Sequence, residues 1–545
     1  MMVGWATMRG MILSAGNNTV RIVLRFVFFK WYSVCQFAIY QFNCAVLFSM
    51  LSSPLNAAPA AGTSEILQLY DQHCLRCHTN SQLSGASSSL LSESFGRQTS
   101  ATISNSVWSS SASQVSEEQF IQLRSYVQST PSRWNDLDMR ASHRQPAVLS
   151  SLPAKPQYSA NPLNLFVVVE SGDDHISVVD GDSFQTIIRF ASHYGVHGGL
   201  KFSPDGRFVY FSSRDGWVTQ YDLYSLQVVA DIRVGLNTSN IAISDDGNLI
   251  LAGNTQPQTL VLLDAHGLAP IKTIAVHDAA GHPSRVSAVY DASSRHSFVV
   301  ALKDIPELWE INYDLKNKWT KSGIIHGQQM GRPLEQQVGG TPRVTSLSTI
   351  LDDFYFDSSY KHVLGVSQSG KVQVISLDSH SKVTDLPLNG MPHLGASISF
   401  ERDGHLIMAT PNLRNGQLSF IDMHSWQLIK EVELPGPGFF MRSHENTPYV
   451  WADSMLSTHK DTLSIIDKRS LSVVQQMVLR PGKTTAHVEF TGDGRYVLVS
   501  LMENPGELII VDAKSLHEVA TLPMAKPTGK YNVFNKLKRL EGASQ

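Results

Sequence analysis

The sequence has little cysteine, with four residues in a chain of 545. Cys35 and Cys44 lie in an apolar N-terminal stretch that we expect to be removed, so the mature chain keeps Cys74 and Cys77 alone. Two cysteines separated by two residues do not provide a disulfide framework or a zinc site built from thiolates. The few cysteines therefore exclude two common ways of stabilising a secreted domain.

Charge and long apolar runs are also scarce. Charged residues make up 17% of the chain and the net charge is −3, with no basic cluster, so the sequence gives no indication of nucleic-acid binding. No G-x-G-x-x-G follows a predicted strand, which argues against a nicotinamide or flavin site. Beyond the N-terminal region no stretch is apolar enough to span a bilayer, so we expect no stable membrane insertion after processing.

The two remaining cysteines form the segment Cys74-Leu-Arg-Cys77-His78. C-x-x-C-H is the signature of c-type haem attachment, in which two thioethers hold the porphyrin and the histidine binds the iron. The alternative is a chance C-x-x-C beside a histidine. We predict one covalent haem c on Cys74 and Cys77, with His78 as an axial iron ligand.

The N-terminus is typical of an exported protein. Basic residues precede an apolar run over 44–51, and small residues around 55–61 suit signal peptidase, so we expect residues 1–61 to be a signal peptide. The n-region is long, which leaves Met8 or Met11 as alternative starts, and an uncleaved membrane anchor is the alternative reading. Because c-type haem is attached outside the bacterial cytoplasm, the expected location is the periplasm.

A small α-helical cytochrome c domain is predicted over residues 62–145, followed by a linker over 146–160. An amphipathic helix precedes the haem motif, and a capping box at Ser116 begins a second helix. The loop between them is rich in serine, and residues 79–138 contain no methionine or histidine. Met139 and His143 are therefore the first candidates for the sixth ligand of the haem c iron, of which we name Met139. The alternative is that both residues belong to the linker.

From residue 161 to 545 the chain repeats a pattern of short strands. D-G turns precede strands that end in aspartate, as in 202–222, 243–264, 400–422 and 490–512, and less regular copies bring the number to eight. A spacing of about 45 residues with period-2 alternation is typical of a β-propeller. The sequence thus predicts a mainly β protein, with a small cytochrome c domain followed by an eight-bladed propeller.

Four histidines lie in segments that we assign to blade starts with Gly- or Pro-containing turns. They are His197, His393, His444 and His487. Turns of this kind project toward one face of a propeller near its axis, so the four imidazoles are candidates for one pocket. A structural role is the alternative for each of them.

Several segments resemble the cytochrome cd1 superfamily, and most closely its dihydro-haem d1 dehydrogenases. These segments are 161–173, His197-Gly-Gly199, Arg214-Asp-Gly-Trp217, Arg233-Val-Gly-Leu-Asn237, Gly390-Met-Pro-His-Leu-Gly395, Gly438-Phe-Phe-Met-Arg-Ser-His444, Ala486-His-Val-Glu-Phe490 and 527–532. The resemblance covers almost the whole expected mature chain. The cytochrome loop departs from it, because the segment that carries the family's methionine is shortened and serine-rich.

The resemblance implies a haem d1 pocket in the propeller and a dehydrogenase of haem d1 biosynthesis. His197 and His393 would bind the d1 iron, His444 would be a second distal histidine, and His487 would be the catalytic base. The substrate bears several carboxylates, so Arg214, Arg233 and Arg442 are candidates for bidentate contacts and Asn237 for a neutral hydrogen bond. For each arginine the alternative is a structural ion pair with a neighbouring acid.

The implied reaction turns a propionate of dihydro-haem d1 into the acrylate of haem d1, with electrons leaving through haem c. The implied partners are this tetrapyrrole substrate, a soluble periplasmic electron acceptor and the nitrite reductase that receives haem d1. Two alternatives remain open at this point. One is a cytochrome cd1 nitrite reductase, and the other is a haem d1 carrier or insertion protein.

Overall fold

The computed structural model of the protein describes residues 134–314 and 340–537. Within these ranges the strands form eight four-stranded antiparallel sheets, which confirms the predicted eight-bladed β-propeller. The haem motif with Cys74, Cys77 and His78 lies outside the described residues, as do the predicted signal peptide and most of the predicted cytochrome c domain.

Seven blades each take four consecutive strands of the chain. The first three of these blades are β4 (Val196–Phe202), β5 (Phe208–Ser213), β6 (Trp217–Asp222), β7 (Gln227–Arg233); β8 (Asn237–Ile243), β9 (Leu249–Gln256), β10 (Thr259–Asp264), β11 (Pro270–Ala275); and β12 (Val286–Ala292), β13 (Ser297–Leu302), β14 (Glu307–Asn312), β15 (Arg343–Ser346). The next two are β16 (Leu351–Phe356), β17 (His362–Ser367), β18 (Val372–Ser376), β19 (Ser381–Leu386); and β20 (Ile398–Arg402), β21 (His405–Pro411), β22 (Gln417–Asp422), β23 (Gln427–Glu433). The last two are β24 (Met441–Ser443), β25 (Tyr449–Asp453), β26 (Thr462–Asp467), β27 (Ser472–Val478); and β28 (Thr485–Phe490), β29 (Tyr496–Leu501), β30 (Gly506–Asp512), β31 (Glu518–Met524).

The eighth blade joins the two ends of the propeller. It consists of β32 (Pro527–Asn532), β1 (Leu165–Glu170), β2 (His175–Asp180) and β3 (Thr186–Ala191). β32 pairs antiparallel with β1, with Phe166 opposite Asn532 and Val168 opposite Lys530. This pairing closes the ring of blades, and closure leaves no long sheet edge exposed.

Burial distinguishes the strands near the axis from those at the rim. The outermost strands β3 and β19 consist largely of half-buried and exposed residues, because one face meets water. The first strands contact each other around the ring, β4 with β8, β8 with β12, and β24 with β28, which in turn contacts β32. The first strands therefore line the axis, and side chains at their starts are close to the central channel.

Two α-helices flank the described propeller. α1 (Asp136–Ser142) begins at a capping box on Asn135 and packs against β7, and α2 (Val533–Leu537) follows β32. Four short 3-10 helices lie at Leu149–Ser151, Pro162–Asn164, Ser293–Arg295 and Leu394–Ala396. None of the helices among the described residues is long and apolar enough to cross a membrane.

The segment before residue 161 already packs on the propeller. Arg144 and Asp231 exchange two backbone hydrogen bonds of 2.8 Å, and the backbone N–H of Gln157 donates to Tyr224 at 2.9 Å. The boundaries at 145 and 160 stay predictions. Residues 134–160, which we assigned to the end of the cytochrome domain and to the linker, are in this structure attached to the outer strand β7 and to the turn between β6 and β7.

Candidate functional site

A row of five aromatic rings crosses the start of the inner strands. The ring centroids of His393 and Phe439 are 4.2 Å apart, those of Phe439 and Phe440 are 4.6 Å apart, and those of Phe440 and His487 are 4.6 Å apart. Tyr531 follows at 5.6 Å from His487. The row brings together two of the four predicted histidines and adds two phenylalanines. We call these five residues the aromatic row.

His393 precedes β20, at the start of the fifth consecutive blade. Its Nδ1 lies 2.7 Å from the backbone oxygen of Phe439, and a carbonyl only accepts, so Nδ1 carries a proton, and in the neutral imidazole Nε2 then holds the lone pair. This is the tautomer that a metal-binding histidine uses. Burial raises the pKa of the Asp353 carboxyl and the nearby His393 opposes that rise, so a carboxylate also lies close to the imidazole.

His487 occupies an unusual backbone position inside β28. Its φ is +49°, in the left-handed region that is strained for a non-glycine residue. The pairing of β28 with β29 shifts register between Ala486 and Glu489, so His487 lies in a β-bulge. Bulges of this kind re-aim side chains and are frequent next to active sites.

The imidazole of His487 is buried and incompletely hydrogen-bonded. The residue is 6% exposed, and among the described residues its Nδ1 has no hydrogen-bond partner. A buried polar atom without a partner is rare in a folded protein and requires an explanation, of which an absent ligand is one. Desolvation, together with the charges of Lys530 and Arg442, holds the pKa of His487 well below 6.5. The imidazole is therefore neutral at pH 7 and able to accept a proton.

Cationic side chains surround this end of the aromatic row. Nε of Arg442, on β24, donates to the buried Glu489 carboxylate at 3.2 Å. Nζ of Lys536 lies 5.1 Å from the ring centroid of Tyr531, and burial together with Glu489 raises the pKa of Tyr531 to about 12. The ion pair to Glu489 is the structural alternative that we considered for Arg442, and it fixes the guanidinium beside the aromatic row.

The structure does not bring His444 to this group. His444 follows β24 instead of starting it, so it lies at the opposite end of the strand from Phe440. Its Nδ1 accepts a hydrogen bond of 3.1 Å from the backbone N–H of Asn446, and its ring packs 5.9 Å from that of Phe490. The assignment of His444 to a blade start is wrong, because β24 begins at Met441 and ends at Ser443, before His444. The residue beside His393 is Phe439.

Arg233 also has a structural environment. It ends the outer strand β7, is 3% exposed, and donates from Nε to the backbone oxygen of Asp215 at 2.7 Å. Its guanidinium lies 5.2 Å from the ring centroid of Trp134, which covers it from the side of α1. These contacts count against a role for Arg233 in binding substrate carboxylates, because the side chain is enclosed between α1 and the blade rim.

The other predicted pocket residues lie at the start of early blades. His197 is the second residue of β4, opposite Ser212, and Asn237 is the buried first residue of β8. Arg214 is half-buried in the turn after β5, where its backbone N–H donates to the carbonyl of Tyr194 at 3.1 Å. These positions are at the same end of the inner strands as His393, and the roles of His197, Asn237 and Arg214 stay predictions.

Met139 packs into the propeller. It is 2% exposed in α1 and belongs to a hydrophobic cluster with Trp134 and Val218. The Nε2 of His143 lies 2.6 Å from the carbonyl oxygen of Gly267. Both environments favour the alternative in which these are packing residues, and the assignment of Met139 as sixth ligand of haem c stays a prediction.

Sequence reasoning missed the residues that complete the aromatic row and its supports. Phe439 and Phe440 follow Gly438 in a segment that we quoted for its resemblance, but we gave roles only to its Arg442 and His444. The buried acid Glu489 lies two residues after His487. A Gly-Phe-Phe turn immediately before a predicted inner strand was the available indication that rings line the channel.

Comparison with known proteins agrees with this architecture. Residues 160–536 match the family described as the cytochrome D1 heme domain. A dihydro-heme d1 dehydrogenase of Pseudomonas aeruginosa is 46% identical over 502 residues, which cover 90% of this chain and 98% of that protein. A nitrite reductase of Stutzerimonas stutzeri is 23% identical over 78% of this chain and 80% of its own length.

A solved structure described as dihydro-heme d1 dehydrogenase NirN in complex with DHE is also similar. It has a TM-score of 0.75 and 46% identity, and the match covers 86% of this chain and 99% of that chain. The chain therefore belongs to the cytochrome D1 heme-domain family, on the branch of the dihydro-heme d1 dehydrogenases.

Proposed function

We propose that this protein is a periplasmic dehydrogenase that converts dihydro-haem d1 into haem d1. In this reaction one propionate side chain, –CH2–CH2–COO⁻, becomes an acrylate, –CH=CH–COO⁻, and two electrons and two protons are released. The support comes from the identity to a dihydro-heme d1 dehydrogenase over nine tenths of the chain and from the chemistry of the aromatic row.

The single observation that carries the proposal is the state of His487. A neutral, buried imidazole with an unpartnered nitrogen is suited to removing a proton from carbon, because no protein group in the described chain competes for that nitrogen. Substrate carboxylates beside Arg442 would offset part of its positive charge.

The remaining residues of the row hold the macrocycle. Rings of Phe439 and Phe440 offer an apolar surface to a flat tetrapyrrole, and their packing beside His393 and His487 fixes how far apart those two imidazoles lie. His393 in the tautomer found here can bind the substrate's iron through Nε2, with His197 as the proposed ligand from the other side. Arg442, and by position Arg214 and Asn237, would orient the carboxylates so that the propionate carbon meets His487.

The proposed haem c, attached through Cys74 and Cys77 with His78 on its iron, supplies a one-electron acceptor for each of the two electrons. From there the electrons would pass to a soluble periplasmic acceptor, and the finished haem d1 to a nitrite reductase. The C-x-x-C-H segment and the apolar, cleavable N-terminus support this part of the proposal.

The two alternative functions fit less well. A reductase of the kind we considered needs His444 beside His393, and Phe439 lies there instead. A carrier does not need a neutral, unpartnered base beside its ligand. Proteins named NirF, one from Pseudomonas aeruginosa at 24% identity over 67% of this chain, are more distant than the dehydrogenase.

Product analysis tests the proposal. The purified protein is loaded with dihydro-haem d1 and an electron acceptor is added. The molecular mass of the extracted tetrapyrrole is then measured by mass spectrometry. We expect the loss of two hydrogens in wild type, and the same loss about 10²–10⁴-fold more slowly in His487→Ala despite retained binding. Bound tetrapyrrole recovered unchanged from wild type would favour the carrier.

A further inference from the structure

Lys530 is a buried lysine for which the proposed reaction has no direct use. It lies on the closing strand β32, opposite Val168, and is 0% exposed. A lysine is almost never fully buried unless it is paired, because removing its amine from water is costly. Its side chain cannot contact substrate from this position, so a role in the site must act through another residue.

The Nζ atom of Lys530 has two acceptors. It donates to the backbone carbonyl of His487 and, at 2.8 Å, to Oγ of Ser500 on β29. Either a charged ammonium or a neutral amine can make both hydrogen bonds. Burial lowers the pKa of Lys530 well below 10.5, while Glu489 and Asp453 oppose that change.

The carbonyl of His487 needs this donor because of the bulge. The register shift between Ala486 and Glu489 removes His487 from regular pairing with β29, so its buried carbonyl has lost its partner in the sheet. A buried carbonyl without a donor destabilises the folded protein. The left-handed φ of +49° adds strain that the surroundings must hold in place.

The other side of the bulge is held by a buried carboxylate. Asp453 accepts hydrogen bonds from the backbone N–H groups of Phe439 at 2.8 Å and Phe440 at 3.0 Å. The backbone of His487 also hydrogen-bonds to this carboxylate, and burial nevertheless raises its pKa to about 6. The same bulge is thus contacted by an anion that orders the phenylalanines and by a lysine that binds the carbonyl.

We propose that Lys530 is a positioning residue for His487, holding the bulge in the conformation that directs the imidazole at the substrate. The inference rests on the proposed function of His487 as the base. The strand β32, which closes the propeller, therefore also supports the catalytic base through Lys530. Misplacement of a catalytic group by about 1 Å can cost about 100-fold in rate.

The test compares single-turnover rates of full-length protein loaded with dihydro-haem d1. Lys530→Met keeps an unbranched apolar side chain and removes the amine donor. We expect its rate to fall about 10- to 100-fold while the dissociation constant of the substrate changes less than about threefold. Ser500→Ala is the matched control, because it removes the other acceptor and leaves the bond to His487, and its rate should stay within about threefold of wild type.

A double-variant cycle separates positioning from other roles. If Lys530 acts through His487, Lys530→Met should change the residual rate of His487→Ala by less than about twofold. The inference would be overturned if Lys530→Met lowered the rate of His487→Ala as much as it lowers the rate of wild type. A wild-type rate in the single variant Lys530→Met would overturn it as well. Failure of the proposed function is seen separately, since wild type itself would then form no acrylate.

Lys530→Gln keeps the test valid if Lys530→Met does not fold. Its amide N–H is a donor one bond short of the lysine amine, so we expect a loss of at least about threefold that disappears in the His487→Ala background. Circular dichroism of each variant establishes that it is folded before rates are compared. A wild-type rate in folded Lys530→Gln, or a loss that persists without His487, contradicts the inference.

Discussion

The rate of dehydrogenation should depend on pH through His487. Desolvation, with contributions from the nearby basic groups of Lys530 and Arg442, holds its pKa well below 6.5 in the folded protein, so the imidazole stays neutral when the solution is moderately acidified. We expect a constant single-turnover rate from neutral pH down to about 6.5. Below the pKa of His487 the rate should fall about tenfold per pH unit, because the protonated imidazole cannot act as a base.

The size of the effect follows from the role of the residue. Loss of a general base lowers rates by about 10²–10⁴, or roughly 3–5 kcal/mol at 1.36 kcal/mol for each factor of ten. His487→Ala should show this deficit and lose the acid limb of the pH profile. His487→Asn is the matched variant, because asparagine tolerates the left-handed φ of +49° and so leaves the bulge unchanged without supplying a base.

The assay is stopped-flow absorption of preloaded protein after addition of an oxidant, repeated across pH. Binding is measured separately by titration, since His393 is expected to hold the iron in both variants. An acid limb that persists in His487→Asn would assign the titration to another group. A rate in His487→Ala within a factor of three of wild type would refute the base assignment.

The pH dependence of the protein's stability should also reflect His487, and stability should decrease as the pH falls. The folded-state pKa of His487 lies below its unfolded value, so the unfolded chain binds more protons between the two values. The contribution of the neutral imidazole to the free energy of unfolding is fully present above pH 6.5. It decreases as the pH falls below that value. His487→Ala should flatten this part of the profile of unfolding free energy against pH.

Three further predictions test the surroundings of the site. Met139→Ala should lower the free energy of unfolding in urea by about 2–5 kcal/mol, because the side chain is 2% exposed in a hydrophobic cluster. The absorption spectrum of the proposed haem c should stay unchanged. Loss of a Met–iron band in this variant would support Met139 as the sixth ligand. Gly494→Ala should lower the melting temperature more than Gly404→Ala. Both glycines have positive φ, but only at Gly494 would a Cβ overlap the His444 ring. Equal decreases in melting temperature would contradict the placement of His444. Phe440→Ala should weaken substrate binding and slow turnover together, because its ring lies 4.6 Å from that of His487, and titration with unchanged affinity and rate would remove Phe440 from the pocket.

The fold could be predicted because its information is local. D-G turns such as Asp205-Gly206 and Asp493-Gly494, followed by alternating strands, recur often enough to give eight blades from the sequence alone. His393 and His487 were recognisable for the same reason, since each lies beside a predicted inner strand. Their convergence on a common row of rings follows from the propeller geometry.

Three environments could not be predicted, because each depends on distant parts of the chain. His444 was displaced because β24 is only three residues long, which no periodicity indicates. Arg233 is enclosed by Trp134, a residue from another part of the sequence. Lys530 supports His487 only because β32 pairs with β1 and β28 contains a bulge. Neither feature is visible in the sequence, in which Lys530 is an ordinary polar residue.

Anaerobic single turnover with the tetrapyrrole and haem c followed together is the most direct test of the central claim, that this chain oxidises dihydro-haem d1 by means of His487. Wild type should form the acrylate spectrum and pass two electrons to the added acceptor for each tetrapyrrole, and His487→Ala should bind the same tetrapyrrole and oxidise it about 10²–10⁴-fold more slowly. Formation of the acrylate at equal rates in both proteins, or bound dihydro-haem d1 that wild type never oxidises, would contradict the account.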